Sequence, residues 1–197
     1  MGKIVISTNA TLDGVVQDPD GQEGFKLGGW FHQFVGGKDL EYWAANETEE
    51  LLGAEALLLG RRSGEWFESR MRDGAEVRVS REWADRMNSI PKYVVSSTLE
   101  HPQWSNTTVL NGDAAKEISE LKRQVDGQIL VYGSYQLVRT LVAQNLADEL
   151  RLVVFPVVLG TGLRILDETS DRKPLHLVNT RKIGDGLVLD TYQFVQG

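Results

Sequence analysis

Apolar and polar positions fall in short blocks along this chain, and the blocks switch between strand-like and helix-like spacing. Residues 3–8 (KIVIST) are β-branched and apolar, predict a first strand, and lead into the turn-like pair Asp13-Gly14. Residues 16–37 are polar and glycine-bearing, with too little periodicity for an element. From 39 to 52 (DLEYWAANETEELL) the residues Leu40, Trp43, Ala44, Glu47 and Leu51 recur at helical spacing, a stripe that is mostly apolar. Residues 56–59 (ALLL) form a continuous apolar run closed by Gly60, as expected of a strand covered on both faces. A short helix is predicted over 80–87, ended by Pro91, with a third strand over 93–97 and a fourth over 107–110.

The second half repeats this alternation and then changes character. Asp113 is placed to cap a helix whose buried face is Ile118, Leu121 and Val125. Residues 129–132 (ILVY) read as another fully apolar strand, which runs into Gly133-Ser134 and a helix carrying Leu137, Val138, Leu141 and Val142. Residues 150–158 are a long β-rich segment. The stretches 175–180 and 187–194 flank KIGDG at 182–186, whose Asp185-Gly186 signals a hairpin turn. The pattern predicts an α/β fold of three layers: a mostly parallel twisted sheet, helices on both faces and a C-terminal antiparallel hairpin. No repeat or interdomain linker interrupts it, so residues 1–197 read as one domain.

Composition narrows the chemistry. The chain has 41% hydrophobic and 25% charged residues, which is ordinary for a globular protein. No run of about 18 apolar residues occurs, which argues against a membrane segment, and the N-terminus lacks a secretory pattern. The expected location is the cytoplasm, where the Asn-x-Thr triplets at Asn9, Asn46 and Asn106 carry no meaning as glycosylation acceptors. Zero cysteines exclude disulfides, thiolate catalysis and cysteine-ligated metals. A net charge of −7 argues against a nucleic-acid surface. His32, His101 and His176 lie too far apart for a metal motif and no GxSxG elbow is present, so neither a metal site nor a serine triad is expected.

Ligands of open α/β sheets bind outside the carboxyl ends of the strands, and three predicted strand exits carry suggestive residues. Gly60-Arg61-Arg62-Ser63 places two guanidinium forks in an acidic chain, suited to a phosphate, although such a pair also suits a solvated turn. Ser96-Ser97-Thr98 offers three hydroxyls, or merely an exposed strand end. Gly133-Ser134-Tyr135 opens a helix, where a glycine lets backbone approach a phosphate and unpaired N–H groups favour an anion; it also suits a turn and cap. No GxGxxG follows the first strand, so this is not a Rossmann fingerprint.

In order and spacing, KIVISTNATLDGVV, ALLLGRRSGEWF, KYVVSSTL, ILVYGSYQLVRTLVAQNLADEL and RLVVFPVVLGTGLRIL resemble the dihydrofolate-reductase-like superfamily. The resemblance spans nearly the whole chain. It is nearest to stand-alone relatives of the C-terminal reductase domain of bacterial bifunctional riboflavin-biosynthesis proteins. It implies an NADPH-dependent oxidoreductase that passes hydride to a small planar heterocycle of pterin, pyrimidine or flavin-precursor type. By position, Gly60, Arg61, Arg62 and Ser63 would meet the cofactor's phosphate region, Ser96 and Ser97 the 2′-phosphate, and Gly133, Ser134 and Tyr135 the pyrophosphate. The resemblance also implies a homodimer, for which the β-rich segment 150–159 is the expected contact.

Reduction of a C=N bond also needs a proton. Asp13, just beyond the first strand, is the expected catalytic carboxylate, with a plain Asp-Gly turn as the alternative. Asp39, opening the first long helix, is a candidate for the substrate side or else a helix cap. Trp30, with Phe31, could stack on a planar substrate or anchor the loop. The opposing functional class is a nucleotide- or ligand-binding protein on the same scaffold without catalysis.

Overall fold

The computed structural model describes residues 1–72, 79–166 and 171–195. In chain order the elements are β1 (Lys3–Thr11), α1 (Trp30–Gln33), α2 (Gly37–Leu52), β2 (Ala54–Gly60), α3 (Arg61–Arg72), α4 (Arg81–Ser89), β3 (Lys92–Val95), β4 (Thr107–Leu110), α5 (Ala114–Gln124), β5 (Gln128–Tyr132), α6 (Tyr135–Ala143), β6 (Glu149–Phe155), β7 (Leu175–Ile183) and β8 (Leu187–Phe194). The strands form one sheet in the order β4-β3-β2-β5-β1-β6-β8-β7. From β4 to β6 every pairing is parallel, while β8 runs antiparallel to both β6 and β7. This is the predicted architecture.

Strand alternation sorts the side chains into two cores. Ile4, Ile6, Leu58, Ile129 and Val131 pack with Ile118 and Leu121 of α5 and Leu137, Val138 and Leu141 of α6. On the opposite face Val5, Leu57, Leu59, Leu130 and Tyr132 pack with Leu51 of α2 and Trp83 and Met87 of α4. A third cluster joins Trp30 and Phe31 of α1 to Val153 and Phe155 of β6 and Ile183, Leu187 and Leu189 of the hairpin. The predicted cap is present, with Asp113 accepting from Lys116 N at 2.9 Å, and Ser80 caps α4 by accepting from Trp83 N at 3.0 Å.

The winding places the crevice. The chain steps from β1 past the later β5 to β2, moves outward through β3 and β4, and returns to insert β5 between β2 and β1. It then crosses to the other side of β1 with β6. The exits of β2, β5 and β1 therefore lie side by side where the winding direction reverses, which is where open sheets bind ligands.

Three expectations change. Arg61 and Arg62, expected at a strand exit or in a solvated turn, lie in the first turn of α3, a helix of 12 residues that the pattern did not predict. β3 ends at Val95, so Ser96 and Ser97 follow the strand. β6 spans Glu149–Phe155, shorter than the expected 150–158, and both its edges are paired, to β1 and to β8. The edge strands are β4 and β7, and on β7 Leu177 and Val178 are each 50% exposed. Among the described residues no helix is long and apolar enough to cross a membrane.

Candidate functional site

Three hydrogen bonds lock the exits of β2 and β5 together. Gly60 N donates to Ser134 Oγ at 2.9 Å, and that hydroxyl donates to Tyr132 O at 2.9 Å. Ser134 N donates to Ser63 Oγ, also at 2.9 Å. Gly133 and Ser134 both hold positive φ, 54° and 56°, so the chain turns sharply between strand and helix. A Cβ on Gly133 would sit 3.1 Å from Ser63 Oγ, closer than ordinary contact, and its left-handed backbone favours glycine.

With its hydroxyl turned back toward Tyr132 and Gly60, Ser134 makes no side-chain cap on α6. The first-turn amides of α6 are left uncapped, and neither α6 nor α3 carries an acid in its first turn. Two helix N-termini thus flank the crevice, a setting that favours an anion.

The two arginines have different tasks. Arg61 donates from Nε to Glu65 Oε1 at 2.7 Å and from Nη1 to Thr98 Oγ1, stitching α3 to the turn after β3. Arg62 is exposed and has no hydrogen-bond or ion-pair partner among the described residues, so its fork is available. Ser96 is buried and accepts from Thr98 N at 3.3 Å and Leu99 N at 3.1 Å, holding its own turn, while Ser97 is exposed beside it. Tyr135 donates its hydroxyl to Val16 O at 2.6 Å, so this side chain ties α6 to the loop after β1. Burial among the loop acids Glu23, Asp20 and Asp18 raises its pKa. Across that loop Arg70 of α3 holds Asp20 Oδ2 at 3.2 Å and Gln22 Oε1 at 2.8 Å.

Asp13 stands at the exit of β1 but works as a clasp. Its carboxylate accepts from Thr11 Oγ1 at 2.6 Å, Leu159 N at 3.2 Å and Gly160 N at 2.8 Å, joining the exits of β1 and β6. The Thr11 hydroxyl, with the two amides, holds the carboxyl below the usual aspartate range despite some desolvation. Such a group is ionised at neutral pH and suited to orienting the loop rather than donating a proton.

Two substrate-side expectations are corrected. Trp30 is 0% exposed, packs edge-on against Phe155 at 5.2 Å and donates Nε1 to Gln17 O at 2.9 Å, so it anchors the loop and has no free face for a substrate. Asp39 is buried at the third position of α2, not at its cap. It accepts from Gly36 N at 3.1 Å, Asp185 N at 2.5 Å and Gly186 N at 3.1 Å, pinning the helix to the β7–β8 turn. Those backbone donors, Asp185 first, lower its pKa.

Sequence reasoning missed the polar network between α2 and the sheet. Ser7 donates to Glu50 Oε2 at 2.7 Å, Arg151 Nη1 approaches Glu50 Oε1 at 3.5 Å, and Arg181 donates to Asn46 Oδ1. Tyr132 Oη donates to Glu47 O at 3.4 Å. One turn nearer the crevice, Trp43 Nε1 donates to Asn9 Oδ1 at 2.9 Å. Desolvation raises the pKa of Glu47 and of Glu50, for Glu47 with a further push from Glu50. The available signal was Glu47 itself, an acid inside an otherwise apolar stripe.

Comparison with known proteins agrees with the fold. The sequence profile of the RibD C-terminal domain family matches residues 2–189. The chain is 26% identical over 192 residues to the uncharacterized protein YyaP of Bacillus subtilis (strain 168), covering 98% of this chain and 95% of that one. A protein assigned to riboflavin biosynthesis from Shewanella sp. PV-4 shares the fold with a TM-score of 0.72 at 19% identity, over 98% of this chain and 99% of the other. The dihydrofolate reductase of Enterococcus faecalis, solved with NADP(H), superposes with a TM-score of 0.56 at 13% identity, over 98% and 97% of the two chains.

Proposed function

The chain belongs to the RibD C-terminal domain family, and on that premise we propose that it is an NADPH-dependent reductase of a small planar heterocycle. The observation that carries the reading is the paired turn at Gly60 and Ser134. There two helix N-termini, an unengaged Arg62 and the close backbone approach at Gly133 converge on one crevice. These residues fit a phosphorylated dinucleotide. The uncapped amides of α6 would hold the pyrophosphate, and Arg62 with Ser97 a terminal phosphate. When bound, the nicotinamide would supply the hydride.

The residues of this chain do the rest. Ser63 and Ser134 fix the turn, Arg61 and Thr98 fix the neighbouring exit, and Asp13 holds the loop that closes the β1 side. Trp43 and Asn9, bonded to each other on facing elements, supply a planar wall with an adjacent amide on the substrate side.

Thermal unfolding with NADPH, NADH, folates and flavins, measured side by side, tests the cofactor. NADPH should give the largest rise in Tm, and a panel of pterins, pyrimidines and flavin precursors should then reveal oxidation of the reduced nicotinamide by absorbance. Stabilisation without oxidation across the panel would favour a binding protein on this scaffold. No stabilisation by either dinucleotide would overturn the reading.

A further inference from the structure

Reduction consumes a proton as well as a hydride, and neither acid at the crevice is arranged to hold one. Asp13 and Asp39 each accept three hydrogen bonds that favour the ionised form. The pair on α2 is arranged in the opposite way. Glu47 and Glu50, three residues apart on one helix, are both 7% exposed and face the middle of the sheet.

Every element packed against them contributes a group. From β1 comes Ser7, bonded to Glu50, and in register beside it stand Tyr132 of β5 and Arg151 of β6. Arg151 is divided between Glu50 and Glu149, donating from Nε to Glu149 Oε1 at 2.7 Å, while Lys3 takes the other oxygen of Glu149. From β7, Arg181 is bonded to Asn46. From α4 comes the indole of Trp83, in the same apolar cluster as Tyr132. The cations are thus committed to Glu50, Glu149 and Asn46, and Glu47 has no ion-pair partner among the described residues. Asn46 Nδ2 and Glu50 Oε1 are buried without a hydrogen-bond partner, so polar capacity is left over at this spot.

We propose that the proton consumed by the reduction is stored on Glu47, a neutral carboxyl kept beside the Glu50 carboxylate, and leaves along the seam between α2 and β1 past Trp43 and Asn9. Trp43 lies one helical turn from Glu47 toward the crevice, and Asn9 is two residues beyond Ser7 on the same face of β1. As hydride from the reduced nicotinamide adds to the carbon of a C=N bond, the π electron pair moves to nitrogen. The nitrogen takes the proton from Glu47, which becomes a carboxylate and is reprotonated from solvent. A second ionised carboxyl beside Glu50 repels, which drives the proton outward and then favours its return. Burial and the neighbouring Glu50 hold the Glu47 pKa above its ordinary value, against a hydrogen bond from Tyr132 that lowers it.

The proposal rests on the reductase reading, and its test has an arm that needs no cofactor. In the apo protein, carbon-13 resonances of the glutamate carboxyls should include a buried group, lost in Glu47→Gln, that titrates well above the exposed glutamates. The sign for stability follows: a carboxyl that binds its proton more tightly when folded stabilises fully below the ordinary glutamate range, and that contribution erodes as pH rises above it. Glu47→Gln should remove that erosion. With NADPH and substrate, Glu47→Gln should slow turnover by about 10²–10⁴-fold and abolish the decline of kcat at high pH, while the NADPH-induced rise in Tm stays as in the parent. Glu50→Gln, which removes the like charge, should move that decline to lower pH. Glu47 titrating with the exposed glutamates, or Glu47→Gln keeping the parent's rate and pH profile, would overturn the proton assignment alone. A parent that never turns over would overturn the assignment together with the reductase reading.

Discussion

The hydroxyl of Ser134 accepts a hydrogen bond from the amide of Gly60 at 2.9 Å, joining neighbouring strand exits that are 74 residues apart in the chain. Ser134→Ala strips Gly60 N of its acceptor and Tyr132 O of a donor. Leaving such groups unpaired costs about 1–3 kcal/mol, visible as a lower Tm. The NADPH-induced shift in Tm should shrink as well. Ser119→Ala, which removes a hydroxyl bonded only to Ala115 O within α5, should leave that shift intact.

Arg62 and Arg61 should separate in a cofactor titration. Arg62→Ala removes the unengaged fork, and loss of a charged hydrogen bond worth about 1.5–3 kcal/mol corresponds to an NADPH affinity lower by about 10–100-fold. NADH, which lacks the 2′-phosphate, should lose less. Arg61→Ala breaks contacts to Glu65 and Thr98, so it should loosen the turn after β3 and weaken both dinucleotides alike. Calorimetry on the four pairs decides it, and equal losses of NADPH in both variants would put the two arginines in one role.

Gly133→Val combines two penalties. A side chain at φ 54° costs roughly 1–2 kcal/mol, and its Cβ must displace Ser63 Oγ from 3.1 Å. Gly133→Ala carries the same backbone cost with less bulk. Both should lower Tm, Val more than Ala, and both should weaken NADPH beyond what the stability loss accounts for. Binding unchanged in a folded Gly133→Ala would show that the glycine serves only the turn.

Much of the fold was legible because strand runs and helical stripes have different periods. β4 and the helices capped by Asp113 and Ser80 follow directly from their residues. α3 was not legible, since its first turn is two arginines, a serine and a glycine, residues that equally suit a turn. At the site, the strand-exit residues could be found because exits are fixed by strand ends. The tasks of Trp30 and Asp39 could not, because both depend on partners far along the chain. Asp39 meets Asp185 and Gly186 only after the hairpin returns beside α2. Glu47 and Glu50 likewise acquire their surroundings from four strands.

Asp39 should also govern acid sensitivity. Its folded pKa is lowered by Asp185 N, Gly186 N and Gly36 N, so its contribution to stability is present above the ordinary aspartate value of about 3.9 and is lost as pH falls through the lower folded value. Asp39→Asn should be less stable than the parent near pH 7, and the gap should narrow as pH drops below about 4. Denaturant unfolding at several pH values measures this. A gap that stays constant down to pH 2 would mean that the charge at this position contributes nothing.

Asp13→Asn then tests how the work is divided between the two ends of the crevice. An asparagine keeps one acceptor oxygen, so it can retain the bonds from Thr11 and Leu159 but sets an amide nitrogen against Gly160 N, which now has no acceptor. The clasp between the exits of β1 and β6 should loosen, at a cost of about 0.5–1.5 kcal/mol, since Gly160 is exposed and water can replace the lost acceptor. If the clasp positions the loop, KM for the heterocycle should rise several-fold. The decline of kcat at high pH should remain where it is, because the proton sits on Glu47. Had Asp13 delivered the proton, kcat would fall by about 10²–10⁴ and the pH-dependent decline would disappear with it. Its carboxyl, held ionised by a hydroxyl and two amides, argues for the first outcome, and the pH profile of Asp13→Asn beside that of Glu47→Gln decides between them.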